Sequence, residues 1–290
     1  MILHLVKMAV IIAVTVLCIF SPFLPGEYDT LAGPLSTTAQ LLAAAALLLV
    51  PLGVLWLISE IVRQTQQSRT SPNNSRRTYY FVVVSLIAAC LLVSLVSLIV
   101  LFGISPSLGI LTLALWFYIV SRWLPKLRQL KTAEIKNIPA TPLYLIITPL
   151  VVLFFQVWLA APLTEFSRNH AIANSNEFVS DLEAYHDEYG HYPVSLAAMW
   201  KDYYPDVVGI EKFHYAPHDQ SYNLFFEQPR LFFDNFGTRE WVVYNSQDEH
   251  RMFSHTSWFL LLPPQELERS QGWYAVHDAE VPHWEYFWFD

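Results

Sequence analysis

Nine of the ten histidines fall in residues 163–290: His170, His186, His191, His214, His218, His250, His255, His277 and His283. Neutral imidazole is a ready metal ligand, so such a concentration raises a metal site as the first chemical question. The spacing argues against one. His186 and His191, like His250 and His255, are five residues apart, which on a helix puts the rings on different faces, and neither pair has the H-E-x-x-H arrangement. No cysteine lies in this region to complete a zinc site, because Cys18 and Cys90 both sit in apolar runs. A G-x-S-x-G nucleophile elbow is missing from the sequence. Asp and Glu are plentiful in residues 163–290, yet nothing selects one pair for glycosidase-type acid–base work. The residues therefore single out no catalytic, cofactor-binding or metal-ligating position, and the expectation is a non-enzymatic chain with no metal and no cofactor.

The elements that carry these residues divide sharply. Residues 1–162 hold ten Lys/Arg against four Asp/Glu, whereas residues 163–290 hold seven against 21. The two regions have nets of +6 and −14 in a chain of net −8, which implies two environments. The chain is 54% apolar and 14% charged, against about 45–50% and about 25% for an average soluble domain. That balance excludes a basic nucleic-acid binder, a disulfide-built mini-domain and a disordered chain.

Uncharged runs near the ~20 residues that a membrane helix needs occur at about 1–20, 41–59, 79–102, 107–121 and 143–161. The third and fourth share one uncharged stretch, residues 79–121, interrupted by Gly103, Ile104, Ser105 and Pro106, which supply a turn between two spans. The loops orient them by the positive-inside rule. Loop 21–40 carries Glu27 and Asp29 and no basic residue, and so lies outside. Segment 63–78 carries Arg63, Arg69, Arg76 and Arg77, and segment 122–141 carries Arg122, Lys126, Arg128, Lys131 and Lys136, so both lie inside. The first run lacks an A-x-A-like cleavage pattern around Cys18–Phe23 and is read as a retained span. Lys7 and Glu60 are the only charges at the run ends. Gln156 and scattered Ser/Thr read as helix–helix hydrogen bonds, so the bundle reads as an anchor rather than a transporter.

Beyond the last span the periodicity changes. Ala171, Ile172, Phe178, Val179, Leu182, Tyr185 and Tyr189 form one stripe at helical spacing, so residues 166–189 read as an amphipathic helix that Gly190 stops. Ser195 is placed to cap a short second helix over 196–203, closed by Pro205. Strand patterns follow around Phe213/Tyr215, Tyr222/Leu224/Phe226, 241–244, 252–254, 258–262, 273–276 and 284–289, separated by turn-like stretches at 217–219, 234–237 and 245–248. One long helix on an antiparallel meander is an α+β layer arrangement. Residues 163–290 also contain 12 Phe, 10 Tyr and 6 Trp, enough for an aromatic core and for a groove that takes a peptide or glycan.

The stretch Asn176-Glu177-Phe178-Val179-Ser180-Asp181-Leu182-Glu183-Ala184-Tyr185-His186-Asp187-Glu188-Tyr189-Gly190-His191-Tyr192-Pro193-Val194-Ser195-Leu196 resembles the globular domain of the major pseudopilin of type II secretion. The shared feature is a helix ending in an A-Y-x-x-x-x-G-x-Y-P-x-x-L pattern, with a span ahead of it. The resemblance implies a short helix and a small antiparallel sheet after Gly190, with Tyr185 and Tyr189 packed on that sheet. It covers about residues 143–245, and its specific part is residues 176–196. The chain departs from that family in having no processing site before residue 143, four further spans, and Pro162 where a continuous helix would run. The family's calcium ligands have no matching residues here.

Together these readings describe a five-span membrane region, residues 1–162, followed by an extracytoplasmic pseudopilin-like α+β domain, residues 163–290. The expectation is a multi-pass protein of the bacterial inner membrane with a cytoplasmic N-terminus. Its partners would be the lipid bilayer and another envelope protein, with no nucleic acid. An envelope enzyme with a carboxylate/His site in residues 163–290 and a small transporter are the alternatives.

Overall fold

Pro51 decides how the second apolar run folds. Proline has no N–H for the helical ladder, and its ring collides with the carbonyl four residues back, which here belongs to Leu47. The computed structural model accordingly ends helix α2 (Ala32–Leu47) at that residue and restarts as α3 (Val50–Gln66), with the pair bent by 41°. The single straight run expected over 41–59 is therefore corrected to two helices meeting at Leu48 and Leu49. The structure describes all residues except 1, 67–73, 131–138, 219, 236–237, 249–250, 254–258, 262–273 and 290. Arg69, Lys131, Lys136, Asp219, Phe236, Gly237, His250, His255, Ser254, Trp258, Leu262, Trp273 and Asp290 lie outside the described residues.

The other apolar helices are α1 (Ile2–Phe20), α4 (Asn74–Gly103), α5 (Pro106–Leu130) and α6 (Thr141–Asn174). Among the described residues, four helical segments are long and apolar enough to cross a membrane, Ile2–Phe23, Thr78–Gly103, Pro106–Leu127 and Thr141–Tyr189, and the bent α2–α3 pair passes the same test jointly. Helices α4 and α5 fold back on each other through Ile104 and Ser105, whose backbone N–H groups both donate to the Val100 carbonyl, at 3.1 and 2.8 Å. Their approach is close: a Cβ at Gly109 would stand 2.5 Å from the Leu101 Cα. Helix α6 runs unbroken through Pro149 and Pro162, so the interruption expected at Pro162 does not occur. It stops instead at Ser175, whose Oγ donates to the Ile172 carbonyl at 2.7 Å and competes with the ladder. The amphipathic helix expected over 166–189 is thus the end of α6 followed by α7 (Asn176–Tyr189).

The chain divides into two compact units, Met1–Ile19 with Pro34–Trp158, and Phe20–Gly33 with Leu159–Asp290. In the second unit, α7 packs on a five-stranded sheet of order β1-β2-β3-β7-β6, all neighbours antiparallel. The strands are β1 (His214–His218), β2 (Ser221–Gln228), β3 (Arg239–Tyr244), β6 (Tyr274–Asp278) and β7 (Trp284–Phe289), while β4 (Arg251–Phe253) and β5 (Phe259–Leu261) form a separate hairpin. The expected meander is corrected here, because β7 rather than β4 occupies the free edge of β3. Residues 232–235 form a short helix, α8, where a turn was expected.

The core under α7 joins Phe178 and Leu182 to Tyr222, Leu224, Phe226, Val242 and Trp284. Gly190 ends α7 in the left-handed region (φ 75°), where a side chain with Cβ is disfavoured by roughly 1–2 kcal/mol. Tyr189 does not reach the sheet: it is 55% exposed and leans on Tyr185. Tyr192, beyond the turn, takes the place expected of it, meeting the Tyr222 ring at 4.8 Å.

The second unit also takes in a loop from the first half of the sequence. Pro25 pairs with Val207 in an antiparallel bridge, flanked by backbone hydrogen bonds from Gly26 N–H to the Asp206 carbonyl and from Val208 N–H to the Leu24 carbonyl, both 2.9 Å. Loop 21–40, expected as a plain connection, is at this point part of the α+β unit.

Candidate interaction surface

The surface that stands out begins where the second short helix was expected. Leu196–Met199 makes a single 3-10 turn, Ser195 gives it no side-chain cap, and Trp200 ends it at φ 50°. A non-glycine residue in this conformation is uncommon, and here it carries a tryptophan that is 95% exposed. Tyr204, four residues on, is 63% exposed. Between them Tyr203 turns inward and stacks on Phe178 at 4.1 Å, with its rings nearly parallel. Lys201 Nζ bridges Glu177 and Asp181 on α7, and Tyr203 OH donates to Asp181 Oδ2 at 2.6 Å. Those two bonds, Tyr203 first and Lys201 second, hold the Asp181 carboxyl below its ordinary range. The result is an open groove of about 430 Å³ lined by Phe178, Leu196, Trp200, Tyr203, Tyr204 and Phe213. Its lining is mostly aromatic, and two of the rings, Trp200 and Tyr204, face outward.

The histidines go elsewhere. His186 stacks on Tyr192 at 4.4 Å, and His191 Nδ1 lies 3.0 Å from the Tyr192 carbonyl. His214 sits against Phe225 and Trp241, where burial lowers its pKa. His277 lies on Tyr286 and Trp288, His170 on Phe166, and His283 Nδ1 is 3.0 Å from Asp248 Oδ1. His218 lies in β1. Among the described residues no three His, Cys, Asp or Glu side chains converge.

Two groups that sequence reasoning missed are buried and charged. In the second unit Arg168, from the end of α6, donates from Nε and Nη2 to Glu240 Oε1 at 3.1 and 2.6 Å. Trp288 Nε1 donates to the other oxygen at 2.8 Å, and the Arg230 guanidinium lies over the Trp288 ring at 4.3 Å. In the same unit, the half-buried Glu183 of α7 accepts from Tyr192 OH at 3.0 Å and Tyr222 OH at 3.1 Å. Burial, helped by this carboxylate, pushes the Tyr192 phenol up to about 12. In the first unit Glu60 is 2% exposed, accepting from Thr78 Oγ1 at 2.6 Å and Trp56 Nε1 at 3.2 Å with Arg63 Nε 2.9 Å away. The i,i+3 spacing of Glu60 and Arg63 was the available signal for that pair. For Arg168 and Glu240, 72 residues apart, there was none.

No family model, no curated protein and no solved structure matches this chain.

Proposed function

We propose that this is a non-enzymatic, multi-pass protein of the bacterial inner membrane that displays an extracytoplasmic, pseudopilin-like α+β module, and that the module binds another envelope protein through the Trp200 groove. The observation that carries the reading is Trp200 itself: a 95% exposed indole on a left-handed backbone, followed directly by Lys201, which bridges Glu177 and Asp181 on α7. Exposed aromatics on a rigid frame are the usual anchors of protein interfaces. The left-handed Gly190 and the inward Tyr192 support the pseudopilin-like arrangement of residues 176–196.

The backbone pairing of Pro25 with Val207 supports the topology. Residues that share a bridge lie on one side of any membrane, so an even number of crossings separates them. Helices α4, α5 and α6 supply three, and the α2–α3 pair makes four if it crosses as one bent span. With α1 that makes five crossings, which puts the N-terminus and the C-terminal module on opposite sides, and the arginine-bearing loops favour a cytoplasmic N-terminus and an exported module.

The test is a photo-crosslinking residue placed at Trp200 or at Asp187, exposed on α7, in the full chain in intact membranes. A discrete protein adduct from position 200 and none from 187 is the expected result. Equal adducts from both positions, or none from either, would overturn the docking assignment.

A further inference from the structure

Residues 205–210 join the two walls of the groove: Trp200, Tyr203 and Tyr204 precede them, and Lys212 and Phe213 follow. They are held from two directions by elements that lead out of the apolar helices. From the exit of α1, Gly26 N–H donates to the Asp206 carbonyl and Asp29 N–H to the Val208 carbonyl, at 2.9 and 3.0 Å. In return Val208 N–H donates to the Leu24 carbonyl and Gly209 N–H to the Pro22 carbonyl, at 2.9 and 2.8 Å. From the last residue of α6, Asn174 Nδ2 donates to the Pro205 carbonyl at 2.8 Å. The packing is tight. Phe23, Val207 and Ile210 are each 1% exposed. A Cβ at Gly209 would meet the Pro22 carbonyl oxygen at 2.6 Å. Asp206, the second residue of the segment, is itself held in the left-handed region at φ 51°.

We infer that residues 205–210 are a strap that couples the aromatic groove to the exits of α1 and α6: loosening the strap opens both groove walls, and filling the groove tightens the hold on both exits. The purpose given to this coupling rests on the groove being the docking surface proposed above; the coupling itself does not. The strap has no slack in which a shift could be absorbed. Only Glu211 separates it from Lys212 on one side, and none separates it from Tyr204 on the other. Linked sites are reciprocal, so what partner binding does to the exits, a change at the exits does to the groove.

Hydrogen exchange on the full chain in lipid nanodiscs tests it. Gly209→Val strikes the strap at its closest contact with Pro22. Faster exchange by something like tenfold, a usual size for coupled sites, is expected both in residues 22–29 and in residues 200–204 and 212–213, with β2 and β3 unchanged. Faster exchange confined to residues 22–29 would overturn the coupling. A second variant works in the opposite sense if the first fails to fold. Pro25 and Val207 form a non-hydrogen-bonded antiparallel pair, with Cα atoms about 4.5 Å apart in such pairs, within the reach of a disulfide. In a chain carrying Cys18→Ser and Cys90→Ser, oxidising the Pro25→Cys/Val207→Cys pair should slow exchange at residues 200–204, and reduction should restore it. Unchanged exchange there on oxidation would overturn the strap. Crosslinking at Trp200 is read separately: adducts absent with exchange coupled would remove the docking reading and leave the strap, whereas adducts present with exchange uncoupled would do the reverse.

Discussion

The two units are built inside out relative to each other. In the first, large apolar side chains point outward: Leu17, Leu91, Phe102, Phe117 and Val157 are all more than half exposed. Its interior collects polar groups, among them Ser36, Gln40, Glu60, Arg63, Thr78 and Ser97. Ser36 Oγ donates to the Ile19 carbonyl and receives Gln40 Nε2, and Gln156 Nε2 donates to Gln40 Oε1 at 3.2 Å, so three helices are joined by side-chain amides and hydroxyls. In the second unit Phe178, Leu182, Tyr222, Phe226 and Phe287 are wholly buried, and most of the described charged residues are exposed. Where the surroundings are as apolar as the side chains, hydrophobic burial gives no drive and polar contacts specify the packing; where they are water, the apolar stripe does. The inversion supports reading the first unit as embedded in lipid and the second as solvated. The same inversion tells which substitutions each unit tolerates.

The largest expected effect is all-or-none. Reporter fusions after Asp29 and after Asp290 should be active only outside, and fusions after Arg76 and Lys131 only inside. Cysteine labelling should find position 123, where Trp123 is exposed, on the cytoplasmic side. An internal C-terminus would undo the comparison, because a solvated module and its first-loop partner would then face the wrong compartment.

Next in size is Glu240→Leu, which leaves the Arg168 and Arg230 guanidiniums in the interior without their shared carboxylate. Breaking a buried pair by removing one partner costs about 3–5 kcal/mol, and near-UV circular dichroism of the full chain in detergent should show the loss as a lower unfolding midpoint. A midpoint within error of the parent would mean that the cluster is solvated. Leu182→Ala, at a fully buried position under α7, should lower the midpoint by the equivalent of about 2–5 kcal/mol. Gly190→Val should do so by about 1–2 kcal/mol through backbone strain alone, because no atom stands within 4 Å of a Cβ built there. A Gly190→Val effect larger than that of Leu182→Ala would reverse the order that separates strain from packing. A fragment starting at residue 163 would be a poor host for these tests, since it lacks residues 22–29 and the strap pairing.

How much of this was readable from the sequence follows from range. Period and charge act locally, so the apolar runs, the stripe through Phe178 and Leu182, the stop at Gly190 and the strands at 221–228 and 239–244 were legible. The α6–α7 boundary was misplaced because Pro162, read as a breaker, is tolerated within a helix of apolar surroundings. The sheet order was missed because β3 pairs with β7 across more than forty residues, and no local pattern encodes that choice. Trp200 was invisible as a site for another reason. An aromatic residue predicts burial on average, whereas Trp200 is 95% exposed on a left-handed backbone that no local pattern announces. The strap was hidden by both effects, since it pairs residues about 180 positions apart through main-chain groups that every residue shares.

The smallest effect concerns Glu285, on β7 opposite Asp278. Burial raises its carboxyl from 4.5 to about 7, with Asp248 and Asp278 adding to the shift. A carboxyl with a raised folded-state pKa favours the fold through its neutral form. Its contribution is therefore complete below about 4.5, declines as pH rises from there to about 7, and is gone above. Asp181 works against it, since its lowered pKa removes stability as pH falls toward it. The difference between parent and Glu285→Gln isolates the one group: the unfolding midpoint of the variant should decline less between pH 4.5 and 7 than that of the parent, and the two should run parallel outside that window. Profiles that run parallel throughout would show Glu285 to be solvated, and would place this end of β7 among the exposed features of the second unit rather than its interior.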